Sequence, residues 1–186
     1  MSYSKIGTLT AYVGPMFAGK TTTLLKNVVW ARFAGKTVHV YKPSTDVRYA
    51  VEEIVSHDGL SVVAHNILNG SEFPDVKHDN SLIVFDEVQF FGLDLVIYIV
   101  TLLSTGNDVI VVGLDMDSNG IPFETTTELL ALADEVHKLK ATCSVCGSPA
   151  SKTFKKENTG NRIELGSSDL YEPRCNSHWL LTNDDK

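Results

Sequence analysis

The stretch TLTAYVGPMFAGKTTTLL, residues 8–25, decides the fold. It begins with an apolar run rich in β-forming residues and continues through a loop that has a glycine at each end. From Lys20 to about Ala34 the residues favour a helix. The order strand, loop, helix is typical of α/β proteins, in which buried strands alternate with helices.

Three later segments are nearly continuous in Val, Ile, Leu and Phe, and we predict each to be a strand: residues 37–41, 81–86 and 108–114. Strands without polar alternation are buried on both faces, as in a parallel sheet covered by helices. Apolar residues at helical spacing in 92–104 and 125–133 predict crossover helices. The predicted fold class is therefore α/β with right-handed crossovers.

The composition of the chain changes near residue 135. Beyond that point Gly, Ser and Asn are frequent and apolar residues are too few for an independent core. We therefore predict a nucleotide-binding α/β domain at residues 1–140 and a small domain at 141–186. The small domain needs a stabilising element other than burial.

Composition also limits the partners. Of 186 residues 43% are apolar, which excludes a disordered tail, and 16 Lys and Arg against 23 Asp and Glu give a net charge of −7. That sign is wrong for holding nucleic acid by bulk electrostatics, so no nucleic-acid partner is expected.

No apolar stretch approaches the roughly 20 residues of a membrane helix, and no signal-peptide pattern is present. Three cysteines are an odd number for disulfides, and we expect a cytoplasmic protein whose thiols serve a metal or redox chemistry.

The loop in the opening stretch has the pattern of a phosphate-binding loop. Residues 14–21, GPMFAGKT, match G-x-x-x-x-G-K-[ST] between a strand and a helix N-terminus. Inward backbone N–H groups and the helix dipole favour an anion there, Lys20 reaches the β- and γ-phosphates, and Thr21 binds Mg²⁺. The residues predicted to bind MgATP are Gly14, Pro15, Met16, Phe17, Ala18, Gly19, Lys20, Thr21, Thr22 and Asp86. The alternative is a glycine-rich turn that opens a helix by chance.

Two adjacent carboxylates follow the predicted strand LIVF. Asp86 at such a strand end is suited to Mg²⁺ beside the phosphate loop, commonly through water. Glu87 follows at once, and it is suited to take a proton from an attacking hydroxyl or water. The alternative is that both residues only cap the helix that begins near Gly92.

The cysteines occur in two chelating pairs. Cys143-x-x-Cys146 is followed by Cys175-x-x-His178, which is the ligand set of a closed, structural Zn²⁺ site of the Cys₃His type. Such a site supplies the stabilisation that the small domain lacks. A redox C-x-x-C pair is the alternative, but it leaves the matching spacing of Cys175 and His178 to chance.

Taken together, six short blocks resemble the type II thymidine kinases of cells, large DNA viruses and phages. The blocks, in order, are GPMFAGKT at 14–21, DVRY at 46–49, SHDG at 56–59, DEVQFF at 86–91, GLD at 113–115 and GSSDLY at 166–171. Each block is short, but their order covers nearly the whole chain. The resemblance implies a parallel-sheet core of the RecA-like phosphate-loop type, with a small zinc-binding lasso domain that covers the nucleoside site.

The resemblance also implies roles for individual residues. Glu87 and Arg48 correspond to catalytic residues: Glu87 is the general base, and Arg48 lies near the phosphates. The residues that correspond to the nucleoside pocket are Asp46 at the sugar, then Met16, Gln89, Phe90 and Leu114 around thymine, and Arg162, Ile163, Glu164, Leu165, Gly166 and Tyr171 in the lasso. Two positions depart from the family pattern: the usual aromatic residue three places after Asp115 is Ser118 here, and the fourth residue of the cysteine block is His178.

The implied activity is transfer of the γ-phosphoryl group of ATP to the 5′-hydroxyl of thymidine, or of deoxyuridine, giving the monophosphate and ADP. The resemblance further implies Mg²⁺ with ATP, a structural Zn²⁺ and a homo-oligomer, by analogy a tetramer, and it leaves room for dTTP as a feedback inhibitor. The alternative is a zinc-ribbon, RecA-like ATPase that acts on DNA. The net charge of −7 and the lack of a basic stripe argue against that alternative.

Overall fold

A six-stranded parallel sheet forms the centre of the chain. The structure is a computed structural model and describes residues 6–44, 53–55, 61–67, 73–75, 81–156 and 168–183. The strands of its first part are β1 (Leu9–Val13), β2 (Val38–Pro43), β3 (Glu53–Val55), β4 (Ser61–Val63), β5 (His65–Ile67), β6 (Leu82–Phe85), β7 (Asp108–Gly113) and β8 (Glu135–Lys138). The order across the sheet is β5, β2, β6, β7, β1, β8, while β3 and β4 form a separate antiparallel pair.

Helices cover both faces of this sheet. They are α1 (Lys20–Phe33), α2 (Asp94–Ser104) and α3 (Glu124–Leu132), and a 3₁₀ turn spans Val88–Phe90. Ile83 and Phe85 of β6 pack in one buried cluster with residues of α2 and α3, whereas Val84 packs in a second cluster with residues of α1. Because both faces are buried, β6 needs apolar residues at every position.

The chain after β8 forms a small lobe. Its elements are β9 (Ala141–Thr142), β10 (Pro149–Ala150), β11 (Lys152–Lys155), β12 (Tyr171–Arg174) and α4 (Asn176–Asn183). Two antiparallel pairs, β9 with β10 and β11 with β12, take the place of a sheet core. The predicted domain division at residue 140 falls between β8 and β9 and stays a prediction.

The predicted α/β fold is confirmed, and the predicted strands and helices recur with ends shifted by at most two residues. Two strands of the central sheet were not predicted, β5 and β8. All four residues of β8 are exposed, so its sequence carries no apolar signal although it pairs with β1 along its whole length. Within the described ranges, no helix has both the length and the apolar character needed to cross a membrane.

Asp108 ties the start of β7 to two other segments. Its carboxylate accepts hydrogen bonds from the backbone N–H and the hydroxyl of Thr8, both at 3.1 Å, and from the ammonium of Lys36 at 2.5 Å. Burial alone raises the pKa of Asp108, but the hydrogen bonds from Lys36 and Thr8 outweigh burial and lower it. A lowered pKa contributes stability above the unfolded pKa, and that stability is lost as the pH falls through the folded pKa.

We expect Asp108→Asn to lower the free energy of unfolding by roughly 1 to 2 kcal/mol at pH 7, because charge-assisted hydrogen bonds are lost. The difference from the unmodified protein should persist down to about pH 5 and shrink below about pH 4, where the carboxylate itself becomes protonated. Urea unfolding across this pH range measures it. Glu128→Gln, which removes an exposed charge on α3, is the control. An equal loss for the two variants contradicts the interpretation.

Candidate active site at the carboxyl edge of the sheet

Three chain segments that carry candidate site residues meet at one edge of the sheet. β1, β7 and β6 are parallel neighbours, with Val13 opposite Gly113 and Phe85 opposite Val111. Their carboxyl ends therefore lie nearly level. The segments that leave this edge are the loop 14–19, the pair Asp86 and Glu87, and the pair Leu114 and Asp115. Ligands of parallel α/β sheets bind at this kind of edge.

The loop 14–19 has the backbone that its glycines allow. Gly14 has a φ of 152°, and a Cβ there would lie 2.4 Å from the carbonyl oxygen of Leu139, so only glycine fits. Gly19, with a φ of 75°, is the N-cap of α1. Phe17 also has a positive φ, 65°, which is uncommon for a residue with a side chain. Such a conformation persists where the surrounding structure holds it.

Lys20 lies over the same loop. Its ammonium donates hydrogen bonds to the carbonyl oxygens of Gly14, at 3.1 Å, and of Pro15, at 2.7 Å. The positive charge is therefore held at the mouth of the loop, beside the N-terminus of α1. Both the ammonium and the helix dipole favour an anion here.

Asp86 and Glu87 leave the end of β6 in different environments. Asp86 is buried, and its Oδ1 accepts the backbone N–H of Glu87 at 3.0 Å. Glu87 is half-buried and has φ 52° and ψ 45°, in the left-handed region. This difference in exposure fits a division of labour between a buried metal ligand and a base open to the acceptor.

The amide of Gln89 joins Glu87 to the end of β7. Its Nε2 donates to Glu87 Oε2 at 2.5 Å, and its Oε1 accepts the backbone N–H of Leu114 at 2.9 Å. Phe90 is half-buried, whereas its neighbour Phe91 packs in the core. Gln89, Phe90 and Leu114 therefore lie at the same edge as the phosphate loop.

Other candidates lie in the small lobe or outside the described residues. Tyr171 is buried in β12, and Met16 is half-buried in the phosphate loop. The candidates Asp46, Arg48, Arg162, Ile163, Glu164, Leu165 and Gly166 lie outside the residues that the structure describes.

The four predicted metal ligands come together. The sulfurs of Cys143, Cys146 and Cys175 and the Nδ1 of His178 all lie within 4.8 Å of one another. Neighbouring pairs are 3.2 to 3.9 Å apart. Metal bonds of about 2.0 to 2.3 Å in a tetrahedron put ligand atoms about 3.5 to 3.8 Å apart, so this cluster can hold Zn²⁺.

The thiols of the cluster influence one another. Burial alone raises the pKa of the Cys143 thiol, but hydrogen bonds from backbone N–H groups, those of Cys175 and Cys146 above all, lower it to about 6. A backbone hydrogen bond from His178 favours the Cys175 thiolate, but burial and the two neighbouring sulfurs outweigh it and raise the pKa of Cys175. Adjacent thiolates repel one another, and a divalent cation removes that repulsion.

The small lobe packs directly on the phosphate loop, a contact that the sequence did not predict. The backbone N–H of Met16 donates to the hydroxyl of Thr153 at 3.0 Å, and Thr153 is buried in β11. Phe17 and Ala18 pack against a cluster of Ala141, Cys143 and Ala150, which Cys175 also joins. A threonine in a polar segment carries no sequence signal for this role.

Trp179, which follows the predicted metal ligand His178, packs on the loop after β7. Its indole N–H donates to the carbonyl of Ser118 at 3.2 Å, and a Cβ on Gly120 would lie 2.9 Å from its ring. Lys152 lies 5.3 Å from the ring centre. The loop in which Ser118 departs from the family pattern is therefore covered by an aromatic ring from the small lobe.

A comparison with protein families agrees with the resemblance. The family model described as thymidine kinase matches residues 7–179, which is nearly the whole chain and includes both the sheet core and the small lobe.

We expect one zinc per chain and a spectroscopic link between zinc and Trp179. In Trp30→Phe, which leaves Trp179 as the sole tryptophan, chelation should shift the emission to the red, since loss of the cluster releases the indole from Ser118 and Gly120. Cys146→Ser should behave in the same way without chelator. Purified protein without stoichiometric zinc, or emission unchanged by chelation, contradicts the expectation.

Proposed function

We propose, on the premise that the chain belongs to the thymidine kinase family, that it transfers the γ-phosphoryl group of ATP to the 5′-hydroxyl of thymidine. The products are the 5′-monophosphate and ADP. One observation above all supports this assignment: the phosphate loop and the Asp86–Glu87 pair leave neighbouring parts of one sheet edge. Deoxyuridine is the second acceptor to test.

In the proposed mechanism the loop 14–21 holds the triphosphate. Backbone N–H groups at the start of α1 surround the phosphates, and Lys20 exchanges its carbonyl partners for β- and γ-phosphate oxygens. The Thr21 hydroxyl and the Asp86 carboxylate are hard oxygen ligands suited to Mg²⁺, which neutralises phosphate charge when bound. Thr22, in the first turn of α1, completes the predicted MgATP-binding residues.

Glu87 acts on the acceptor. Its carboxylate takes the proton of the 5′-hydroxyl as the new bond from O5′ to phosphorus forms and the bond to the β–γ bridging oxygen breaks. Arg48 stabilises the charge on the phosphoryl oxygens, and Asp46 binds the sugar. Met16, Gln89, Phe90 and Leu114 border the thymine, while the backbone of 162–166 and Tyr171 cover the base.

Zinc serves structure in this proposal. The four residues would supply all the ligands of a tetrahedral Zn²⁺ and would leave no position for substrate. The cluster borders the packing of Phe17 and Ala18, so the metal stabilises the lobe that lies on the phosphate loop. All three cysteines belong to this site, which fits the proposed cytoplasmic location because disulfides are rare in that compartment. We propose dTTP as the feedback inhibitor to test.

The proposed homo-oligomer has candidate surfaces on two helices. Trp30 and Phe33 of α1 are 70% and 88% exposed, and Ile97 of α2 is 72% exposed. Large apolar side chains that cluster on a helix face are characteristic of interfaces.

We expect Glu87→Gln to lower kcat by about two to four orders of magnitude with little change in the KM for ATP, because an amide cannot accept the proton. The reaction is measured as the transfer of labelled phosphate from γ-labelled ATP to thymidine. Glu128→Gln on the exposed face of α3 is the matched control. Near-native kcat in Glu87→Gln removes Glu87 from the chemistry.

A second assay separates the proposal from a DNA-dependent ATPase. ADP release is measured with thymidine alone and with single-stranded DNA alone. Stimulation by thymidine supports the kinase, and stimulation by DNA only would overturn it.

We expect a double variant, Trp30→Glu with Phe33→Glu, to reduce the particle mass in solution, because two buried charges disrupt an apolar contact. Light scattering coupled to size-exclusion chromatography measures the mass, and Glu128→Lys, which reverses an exposed charge on α3 at the opposite face of the sheet, is the control. An unchanged oligomer in the double variant excludes this face of α1 from the interface.

A further inference from the structure

Gln89 lies between the carboxyl ends of β6 and β7, in contact with Glu87 and Leu114. It belongs to the 3₁₀ turn directly after Glu87, and its residue is only 7% exposed. Both ends of its amide contact the protein: Nε2 contacts Glu87 Oε2 at 2.5 Å, and Oε1 contacts the N–H of Leu114 at 2.9 Å. A side chain buried to this degree and bonded at both ends has one orientation.

The chemistry of the two partners fixes which end of the amide faces which. The backbone N–H of Leu114 only donates, so it requires Oε1 of Gln89. Nε2 must then face Glu87, whose carboxylate oxygen accepts its N–H. The two contacts are therefore complementary in one arrangement alone, and that arrangement supplies a donor to the carboxylate.

Gly113 leaves the space in which this amide lies. A Cβ at Gly113 would lie 2.5 Å from Oε1 of Gln89 and 2.9 Å from Cγ2 of Val88. The last residue of β7 therefore has to be glycine for the amide to reach the N–H of Leu114. This gives a way to displace Gln89 without altering its own chemistry.

Glu87 is held from its backbone as well. Its N–H donates to Oδ1 of Asp86, and its φ of 52° lies in the left-handed region, which is uncommon for a residue with a side chain. A glutamate side chain still has three rotatable bonds beyond this backbone. The contact with Gln89 restrains the carboxylate itself, at Oε2.

We propose that Gln89 is a positioning residue for Glu87: it holds Oε2 and so presents Oε1 to the nucleoside 5′-hydroxyl. The proposal rests on the proposed role of Glu87. In the transfer, the hydroxyl proton passes to Glu87 as the O5′–phosphorus bond forms, and the electron pair of the broken bond leaves on ADP. The amide stays neutral throughout and keeps its hydrogen bond to the same carboxylate.

This role is separate from the contact with thymine proposed above for Gln89, and the two roles give different kinetics. A residue that only contacts the base contributes to ground-state binding, so its loss raises the KM for thymidine. A residue that orients the base catalyst contributes in the transition state, so its loss lowers kcat and leaves that KM nearly unchanged. Displacing a catalytic group by about 1 Å lowers the rate about a hundredfold.

The test uses two single variants and one double-mutant cycle. Gln89→Met keeps the length of the side chain and removes both hydrogen bonds, while Gly113→Ala keeps the amide and displaces it. We expect each to lower kcat by about ten- to a hundredfold with the KM for thymidine changed by less than about threefold. In a Glu87→Gln background, Gln89→Met should lower kcat no further, because residues that act as a unit are not additive.

Thr125→Val is the matched control. The Thr125 hydroxyl is buried and donates to the carbonyl of Phe91 at 2.8 Å, at the far end of the same turn. The variant loses a buried hydrogen bond but leaves Gln89 and Glu87 in contact. We expect a lower unfolding temperature and an unchanged kcat, and thermal unfolding of every variant shows which of them fold.

The outcomes separate the two proposals. A low kcat in Glu87→Gln with a native kcat in Gln89→Met and Gly113→Ala overturns the role of Gln89 alone. A raised KM for thymidine at native kcat also overturns the role of Gln89. The same holds if the two losses of kcat multiply in the double variant. A native kcat in Glu87→Gln overturns the proposed base, and the role of Gln89 with it. If Gln89→Met does not fold, Gly113→Ala decides.

Discussion

The parallel pairing of β1, β7 and β6 is the constraint on which the site depends. Parallel strands start and end on common edges, so the pairing of Val13 with Gly113 and of Phe85 with Val111 brings distant segments together. Helices cover both faces of the sheet, so the buried positions of these strands are apolar. The candidate site residues therefore lie at the ends of the strands, where the backbone leaves the sheet.

Two backbone features then shape this edge. At Gly14 the loop passes so close to the carbonyl of Leu139 that a side chain is excluded, and at Gly113 the strand leaves room for the amide of Gln89. The small lobe also contacts this edge: the hydroxyl of Thr153 accepts the N–H of Met16, and Phe17 packs beside Cys143. The phosphate loop is thus held from the sheet on one side and from the small lobe on the other.

Local sequence signals predicted the core of this architecture and not its connections. The phosphate loop, the strand before Asp86 and the metal ligands each combine a residue type with a short spacing, and such signals survive in a single sequence. β8 did not give a signal because its side chains are exposed and its stability comes from backbone pairing with β1. The contacts of Thr153, Trp179 and Gln89 depend on tertiary packing across long sequence separations, which no local pattern records.

The most direct test of the account is a crystal structure with thymidine, Mg²⁺ and a non-hydrolysable ATP analogue. The account predicts the triphosphate in the loop 14–21 and the thymidine O5′ within about 2.6 to 3.2 Å of Glu87, with Gln89 on the other carboxylate oxygen. A nucleoside whose O5′ lies out of reach of Glu87, or a triphosphate bound away from the loop, would contradict it.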